Sequence, residues 1–186
     1  RDGGPSEPDV SDKPAAMRRL EPIGPTARRA LTTISRQRAE AVFVMDGEIG
    51  RLVRALKDNG EWARTWFVFT SDKGYFLGEH RKRQGKVLAY EPSLRVPLLM
   101  TGPGHRAGES RYDSISTVDL TATLLDLAGA EPPRRPDGVS KLAVLRSGDR
   151  GWDVPVVTEA PYTVGPSMSA WKGQRTSIGL RTAGYS

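Results

Sequence analysis

The chain has 186 residues, 37% of them hydrophobic, and 28 Lys and Arg against 22 Asp and Glu leave a net charge of +6 with no Cys. That length suits one α/β domain or a piece of a larger one, and the absence of Cys excludes a disulfide framework and a thiolate metal site within these residues. No run of about 18 apolar residues is present to cross a membrane, and the basic residues are spread without aromatic interleaving, which argues against a nucleic-acid face.

Residues 1–26 carry Pro5, Pro8, Pro14, Pro22 and Pro25 with three Gly, and read as an extended, irregular arm. The chain opens Arg1-Asp2-Gly3-Gly4 without an initiator Met or an apolar leader, and closes within "IGLRTAGYS", which reads as a strand cut short. A piece of a longer protein is therefore expected.

From about Ala27, the residues Leu31, Ile34, Val42, Met45, Ile49, Leu52, Val53 and Leu56 recur at three- and four-residue steps. This predicts one long helix with a single apolar face, stopped by Asn59-Gly60. "TWFVFT" at 65–70 and "VPLLMT" at 96–101 read as strands covered on both faces, the second closed by Gly102-Pro103-Gly104. "TVDLTATLLDLA" at 117–128 predicts a helix capped by Ser116 or Thr117 and ended by Gly129. Two further strands are expected at 154–159 and 177–181.

Helices alternating with short apolar strands predict a mostly parallel sheet with helices on its faces, the body being residues 27–148 and a further region starting at 149–186. Ligands bind such sheets beyond the carboxyl ends of the strands, which is where Ser71-Asp72-Lys73-Gly74 falls. From spacing alone Asp72 has two readings: a carboxylate that caps the turn through backbone N–H groups, or an oxygen ligand for a hard cation. The cluster Arg81, Lys82, Arg83 and Lys86 follows directly and points to a local anion site.

"VFTSDKGYFLGEHRKRQGKVLAYEPSLRVPLLMTGPG", residues 68–104, resembles the sulfatase family, in particular its arylsulfatase and N-acetylglucosamine-6-sulfatase branch. "EPDVSDKP" at 7–14, "VMDGEIGRLVRALKDNG" at 44–60 and "STVDLTATLLDLAGAEPP" at 116–133 are similar to the same branch, so the resemblance covers most of the chain from residue 7 to about 145. It implies an α/β fold of the alkaline-phosphatase type, a mixed, mostly parallel sheet flanked by helices, of which this chain is the later part. It also implies hydrolysis of a sulfate ester by a formylglycine made from Cys or Ser in a C-x-P-S-R-like motif, with Ca²⁺ or another divalent cation on the sulfate oxygens. No such motif occurs in these residues.

Carried over by position, the resemblance implies that Asp72 is a metal ligand and that Lys86 of "QGK" contacts the sulfate. It places His80 of "GEH" near substrate, although as a lone His a packing role has equal standing. Glu91 and Arg95 are expected as an ion pair supporting the loop, with Asp46 and Asp119 structural. The implied partners are a sulfated small molecule or glycan and the missing first part of the catalytic domain, with no nucleic acid and no membrane. An extracytoplasmic or secreted location is implied as well.

Lys73 departs from the family, which has Asn or His there, since a protonated Lys offers no lone pair. One positive charge roughly 4 Å from a +2 ion, at an effective dielectric near 20, costs on the order of 8 kcal/mol. Cation binding is therefore expected to be weakened or absent, with Lys73 pointing outward, pairing with Asp72 in the cation's place, or marking a decayed copy. The rival expectations are a phosphoester or phosphonate hydrolase of the same superfamily, and a non-catalytic scaffold keeping an anion pocket of Arg81, Lys82, Arg83 and Lys86.

Overall fold

In the computed structural model, residues 7–86, 88–105, 108–112, 114–148, 154–161 and 176–182 are described. The first six residues of the expected arm, and residues 149–153, 162–175 and 183–186 of the expected further region, lie outside them.

The arm is shaped by its apolar residues more than by its prolines. A single helical turn, α1 (Ala15–Arg18), follows Pro14, and Val10, Met17 and Ile23 are buried. Arg28 Nε then donates to the Ile23 carbonyl at 2.9 Å, fixing the arm's end to the start of the next helix. The expected irregular segment thus contributes three of the eight buried hydrophobic residues among those described.

Helix α2 (Pro25–Asp58) begins with Pro at its first position, where a missing N–H costs nothing, and ends at Asn59. Its bounds follow the predicted ones, but its apolar face is only partly covered. Leu31 is buried, whereas Val42, Phe43, Val44, Met45 and Leu52 are exposed, Phe43 at 79%. At 100° per residue the run Val42–Met45 covers most of the helix circumference, so one turn has no polar face. Below the helix, Lys57 sits 5.6 Å from the Trp62 ring centroid, and Trp62 meets Phe67 at 6.4 Å.

Strand β1 (Phe67–Thr70) pairs with β2 (Leu98–Thr101) antiparallel, Thr70 opposite Leu98 and Phe67 opposite Thr101. Strand β3 (Val156–Pro161) pairs with β4 (Thr176–Arg181), also antiparallel. This corrects the mostly parallel expectation for the described pairs. A parallel return needs a crossover connection of a dozen residues or more, usually a helix, and among the described residues the chain between β1 and β2 holds just a 3-10 turn at Glu79–Arg81 and the one-turn helix α3 (Glu91–Leu94). The strands are also less covered than predicted: β1 is half-buried over Phe67, Val68 and Phe69, and Leu99 of β2 is 62% exposed.

Helix α4 (Thr117–Leu127) is capped by Ser116, whose hydroxyl accepts from the Val118 amide, while Asp119 Oδ2 accepts from the Ser116 amide at 3.2 Å. Asp119 Oδ1 also accepts from the Val139 amide at 2.9 Å, and Lys141 Nζ lies 3.3 Å from its Oδ2. Thr123 joins them by accepting from the Lys141 amide at 2.8 Å. This polar knot holds the segment after α4, and helix α5 (Leu142–Ser147), which the sequence pattern did not reveal, buries Val144 and Leu145 beyond it.

Candidate functional site

Thr70 ends β1 and Leu98 opens β2, so everything between them leaves and re-enters the sheet at one end. That end is the carboxyl end of β1, as expected for a ligand loop. The loop is closed by backbone bonds: the Gly74 amide donates to the Ser93 carbonyl at 2.9 Å, and the Phe76 amide donates to the Gly85 carbonyl at 2.8 Å. Phe76 sits inside with no exposed surface, its ring edge-on to Tyr90 at 6.3 Å.

Gly74 is required by proximity. A Cβ at this position lies 2.1 Å from the Pro92 carbonyl oxygen, so any larger residue pushes the two limbs of the loop apart.

The candidate side chains divide into displayed and bound groups. Asp72 is exposed, and it takes no hydrogen bond or ion pair from the described residues. The turn is capped by its neighbour instead, with Ser71 Oγ donating to the Lys73 carbonyl at 2.9 Å. Lys86, one residue beyond the Phe76–Gly85 bridge, is also exposed. Asp72 and Lys86 therefore keep their charges available at the loop, while Phe76, His80 and Arg81 between them are engaged in building it.

Lys73 turns toward an aromatic ring, its Nζ 5.3 Å from the Tyr75 centroid, and does not pair with Asp72. Arg38 of α2 reaches the same ring, with Cζ at 5.0 Å. Of the three arrangements weighed for Lys73, the one that pairs its ammonium with Asp72 is not what the geometry has.

His80 is 6% exposed, with Nδ1 2.8 Å from Glu7 Oε2 and its ring 4.7 Å from that of Tyr90. Only Nε2 is left to meet another partner. Arg81 is likewise committed: Nε donates to the Glu7 carbonyl at 3.0 Å, and the two terminal nitrogens donate to Leu20 and Pro8 carbonyls at 3.2 and 2.6 Å. It is therefore withdrawn from the expected anion pocket, of which Lys82, Arg83 and Lys86 remain. Both His80 and Arg81 have positive φ, 51° and 61°, a conformation that costs energy in residues with a Cβ.

Glu91 and Arg95, expected as a pair, are not paired. Glu91 forms its ion pair with Arg181 on β4, and Arg95 is exposed at the end of α3. Arg181 lies 90 positions from Glu91, beyond the reach of any spacing rule. The other residues missed in sequence, Glu7, Arg38 and Tyr75, gave equally little sign, since their partners are fixed only by tertiary contact.

Among the described residues no three His, Cys, Asp or Glu side chains converge to hold a metal ion. Calcium takes six to eight oxygens, so Asp72 by itself does not make a closed cation site. Of the groups the resemblance implies for a cation, these residues present one carboxylate and a neighbouring ammonium.

Residues 6–130 match the Sulfatase family model. The chain is similar to an arylsulfatase of Volvox carteri, 41% identical over 128 residues, covering 67% of this chain and 20% of the relative. It is 35% identical over 139 residues to an extracellular sulfatase SULF-1 homolog of Drosophila melanogaster, covering 75% of this chain and 12% of the relative. It is 31% identical over 140 residues to the N-acetylglucosamine-6-sulfatase of Homo sapiens, covering 74% and 25%.

Two solved structures share the fold. BT4656, in complex with its substrate D-glucosamine-2-N,6-O-disulfate, aligns with TM-score 0.64 at 33% identity over 76% of this chain and 28% of that one. The phosphonate monoester hydrolase SpPMH from Silicibacter pomeroyi aligns with TM-score 0.61 at 26% identity, covering 74% and 30%. The chain thus spans a quarter or less of the length of the curated relatives named here.

Proposed function

Because the chain belongs to the sulfatase family, we propose that it is the later portion of a catalytic domain that hydrolyses a sulfate ester on a sulfated sugar or an aryl sulfate. The observation that carries this reading is the loop beyond β1, in which a backbone-closed frame leaves Asp72 and Lys86 as exposed charges. In the proposed complex Lys86 donates to the sulfate oxygens, for which an ammonium is well suited because it can aim three donors at one anion. Asp72 supplies one oxygen to a divalent cation whose remaining ligands come from outside these residues. His80 faces substrate through Nε2, since Nδ1 is held by Glu7.

The nucleophile also comes from outside these residues, which contain no Cys and no C-x-P-S-R-like motif. The first part of the catalytic domain is accordingly the chain's proposed partner, and the 186 residues alone are expected to release no sulfate. Extracellular sulfatases among the relatives support an extracytoplasmic location.

The test is release of inorganic sulfate from 4-nitrophenyl sulfate and from N-acetylglucosamine 6-sulfate by the protein joined to its nucleophile-bearing part. Turnover that falls at least tenfold on Lys86→Ala supports the reading, whereas sulfate release by the isolated chain removes the fragment claim.

A second reading, phosphonate or phosphate ester hydrolysis, is favoured by the likeness to the phosphonate monoester hydrolase. Preferential cleavage of a phenylphosphonate ester under the same conditions selects it.

A further inference from the structure

We propose that the β3–β4 hairpin is a brace for the candidate loop, with Arg181 of β4 as the positioning residue that holds α3 and, through α3, the turn at 71–74. The inference rests on the loop being the sulfate-ester site proposed above, and it gives the region after residue 148 a part in that site.

Three observations carry it. Glu91, the first residue of α3, forms its ion pair with Arg181 although Arg95 stands four positions away in the same loop, exposed and not paired with it. The Arg181 side chain is 20% exposed, so most of it lies against protein. The hairpin also has two unlike faces: Val156, Thr158 and Gly179, on the Arg181 side, are half-buried, whereas Val157, Glu159, Ile178 and Leu180, on the other side, are exposed. It therefore lies on the protein by the face that carries Arg181. Finally, α3 touches the turn beyond β1 directly, since the Ser93 carbonyl accepts from the Gly74 amide at 2.9 Å and the Pro92 carbonyl leaves no room for a methyl group at Gly74.

The brace works by transmission. Glu91 is two positions from Ser93 and Gly74 is two from Asp72, so α3 cannot shift without moving the bond that sets the turn. The approach of Gly74 to Pro92 is too close to absorb such a shift. A two-stranded hairpin is marginally stable by itself, so this one is ordered by what it lies on and in turn fixes what it grips. An ion pair partly withdrawn from water is screened less than one in open solvent, which lets a single pair hold α3. With the pair lost, the loop spends part of its time away from the competent arrangement, and the apparent affinity for a ligand falls with the competent fraction.

The experiment uses the protein joined to its nucleophile-bearing part and follows amide exchange at Gly74, with the amides of β1 and β2 as internal reference. In Arg181→Gln and in Glu91→Gln, Gly74 should exchange about fivefold faster while β1 and β2 keep their wild-type rates. Arg181→Lys, which keeps the charge, and the reversed pair Glu91→Arg with Arg181→Glu should each restore much of the protection, which separates a lost ion pair from a misfolded hairpin. With 4-nitrophenyl sulfate, KM should rise about threefold in Arg181→Gln and kcat should hold, since bound substrate reassembles the loop. Unchanged exchange at Gly74, or an increase shared by β1 and β2, overturns the inference, and so does faster exchange with no change in KM. Sulfate release by none of the proteins rejects the sulfatase reading, and the Gly74 amide alone then decides the brace.

Discussion

Glu7 Oε2 lies 2.8 Å from Nδ1 of His80, joining the arm to the candidate loop across 73 positions of sequence. Lys13 Nζ stands 3.8 Å from the other Glu7 oxygen, and Arg81 takes the carbonyls of Glu7, Pro8 and Leu20. The left-handed backbone at His80 and Arg81 is the conformation that lets consecutive side chains both reach the arm. Its strain, of order 1–3 kcal/mol per residue, has to be offset by those bonds.

Removing the carboxylate should therefore release the arm and the loop together. Glu7→Ala leaves the buried His80 ring nitrogen without this partner and is expected to cost about 1–3 kcal/mol in urea unfolding. Glu7→Gln, which keeps an acceptor, should cost less. Protease cleavage in the arm should rise in the same order, and equal behaviour of the two variants would show that the bond contributes nothing.

Lys73→Asn restores a neutral side chain with a lone pair beside Asp72. Calcium affinity of the protein joined to its nucleophile-bearing part should rise by more than tenfold in calorimetry, because a fixed positive charge near the ion has been removed. Unchanged affinity would mean that the ammonium, already turned toward Tyr75, is screened from the cation.

Gly74→Ala and Gly47→Ala should have opposite signs. The first puts a methyl group 2.1 Å from the Pro92 oxygen and is expected to destabilise by more than about 2 kcal/mol, with loss of anion binding at Lys86. The second lies in α2 with nothing within 4 Å of the new Cβ, so it should stabilise by about 0.5–1 kcal/mol. Thermal unfolding of the pair separates a glycine needed for close approach from one that only loosens a helix.

The knot at Asp119 and Lys141 should resist single changes more than a double one. Lys141 is 2% exposed and its ammonium faces a carboxylate that also accepts from the Ser116 and Val139 amides. Asp119→Ala should destabilise by about 3–5 kcal/mol, since it removes the carboxylate that the buried ammonium faces, and adding Lys141→Met should recover a large part of that. Additive losses in a double-mutant cycle would contradict a coupled pair.

The arm also has a pH window. Hydrogen bonding from the Ser11 amide holds Asp9 below its ordinary value of 3.8, and the Lys13 ammonium does the same for Asp12. Carboxylates lowered on folding stabilise above 3.8 and lose that contribution as pH falls through their lowered values. Lys13, raised above 10.5 chiefly by its bond to Asp12, contributes fully below 10.5 and loses its contribution as pH climbs through the raised value. Proteolysis of the arm should increase below about pH 4 and in strong alkali.

What could be read from sequence follows the range of the forces involved. Helices α2 and α4 were legible because periodicity, the Ser116 cap and Gly129 act within a few residues. The loop's place at the end of β1 was legible for the same reason. The antiparallel return of β2 was not, because strand direction depends on what fills the connection. Neither were the partners of Glu91, His80 and Tyr75, which come from Arg181, Glu7 and Arg38 and are set by tertiary approach alone. Burial of Val10, Met17 and Ile23 was hidden by the prolines around them, which suggested an extended, irregular arm.

The bare turn of α2 at Val42–Met45 decides how this polypeptide behaves on the bench. Apolar side chains around most of a helix circumference are normally surrounded by other protein. In dilute buffer they will recruit any greasy neighbour, so sedimentation and light scattering should depend on concentration even where spectroscopy reports a folded chain. Replacing Phe43 by Glu is then a handling tool: it lies far in sequence from Asp72 and Lys86, and it should raise the concentration at which every other measurement can be made.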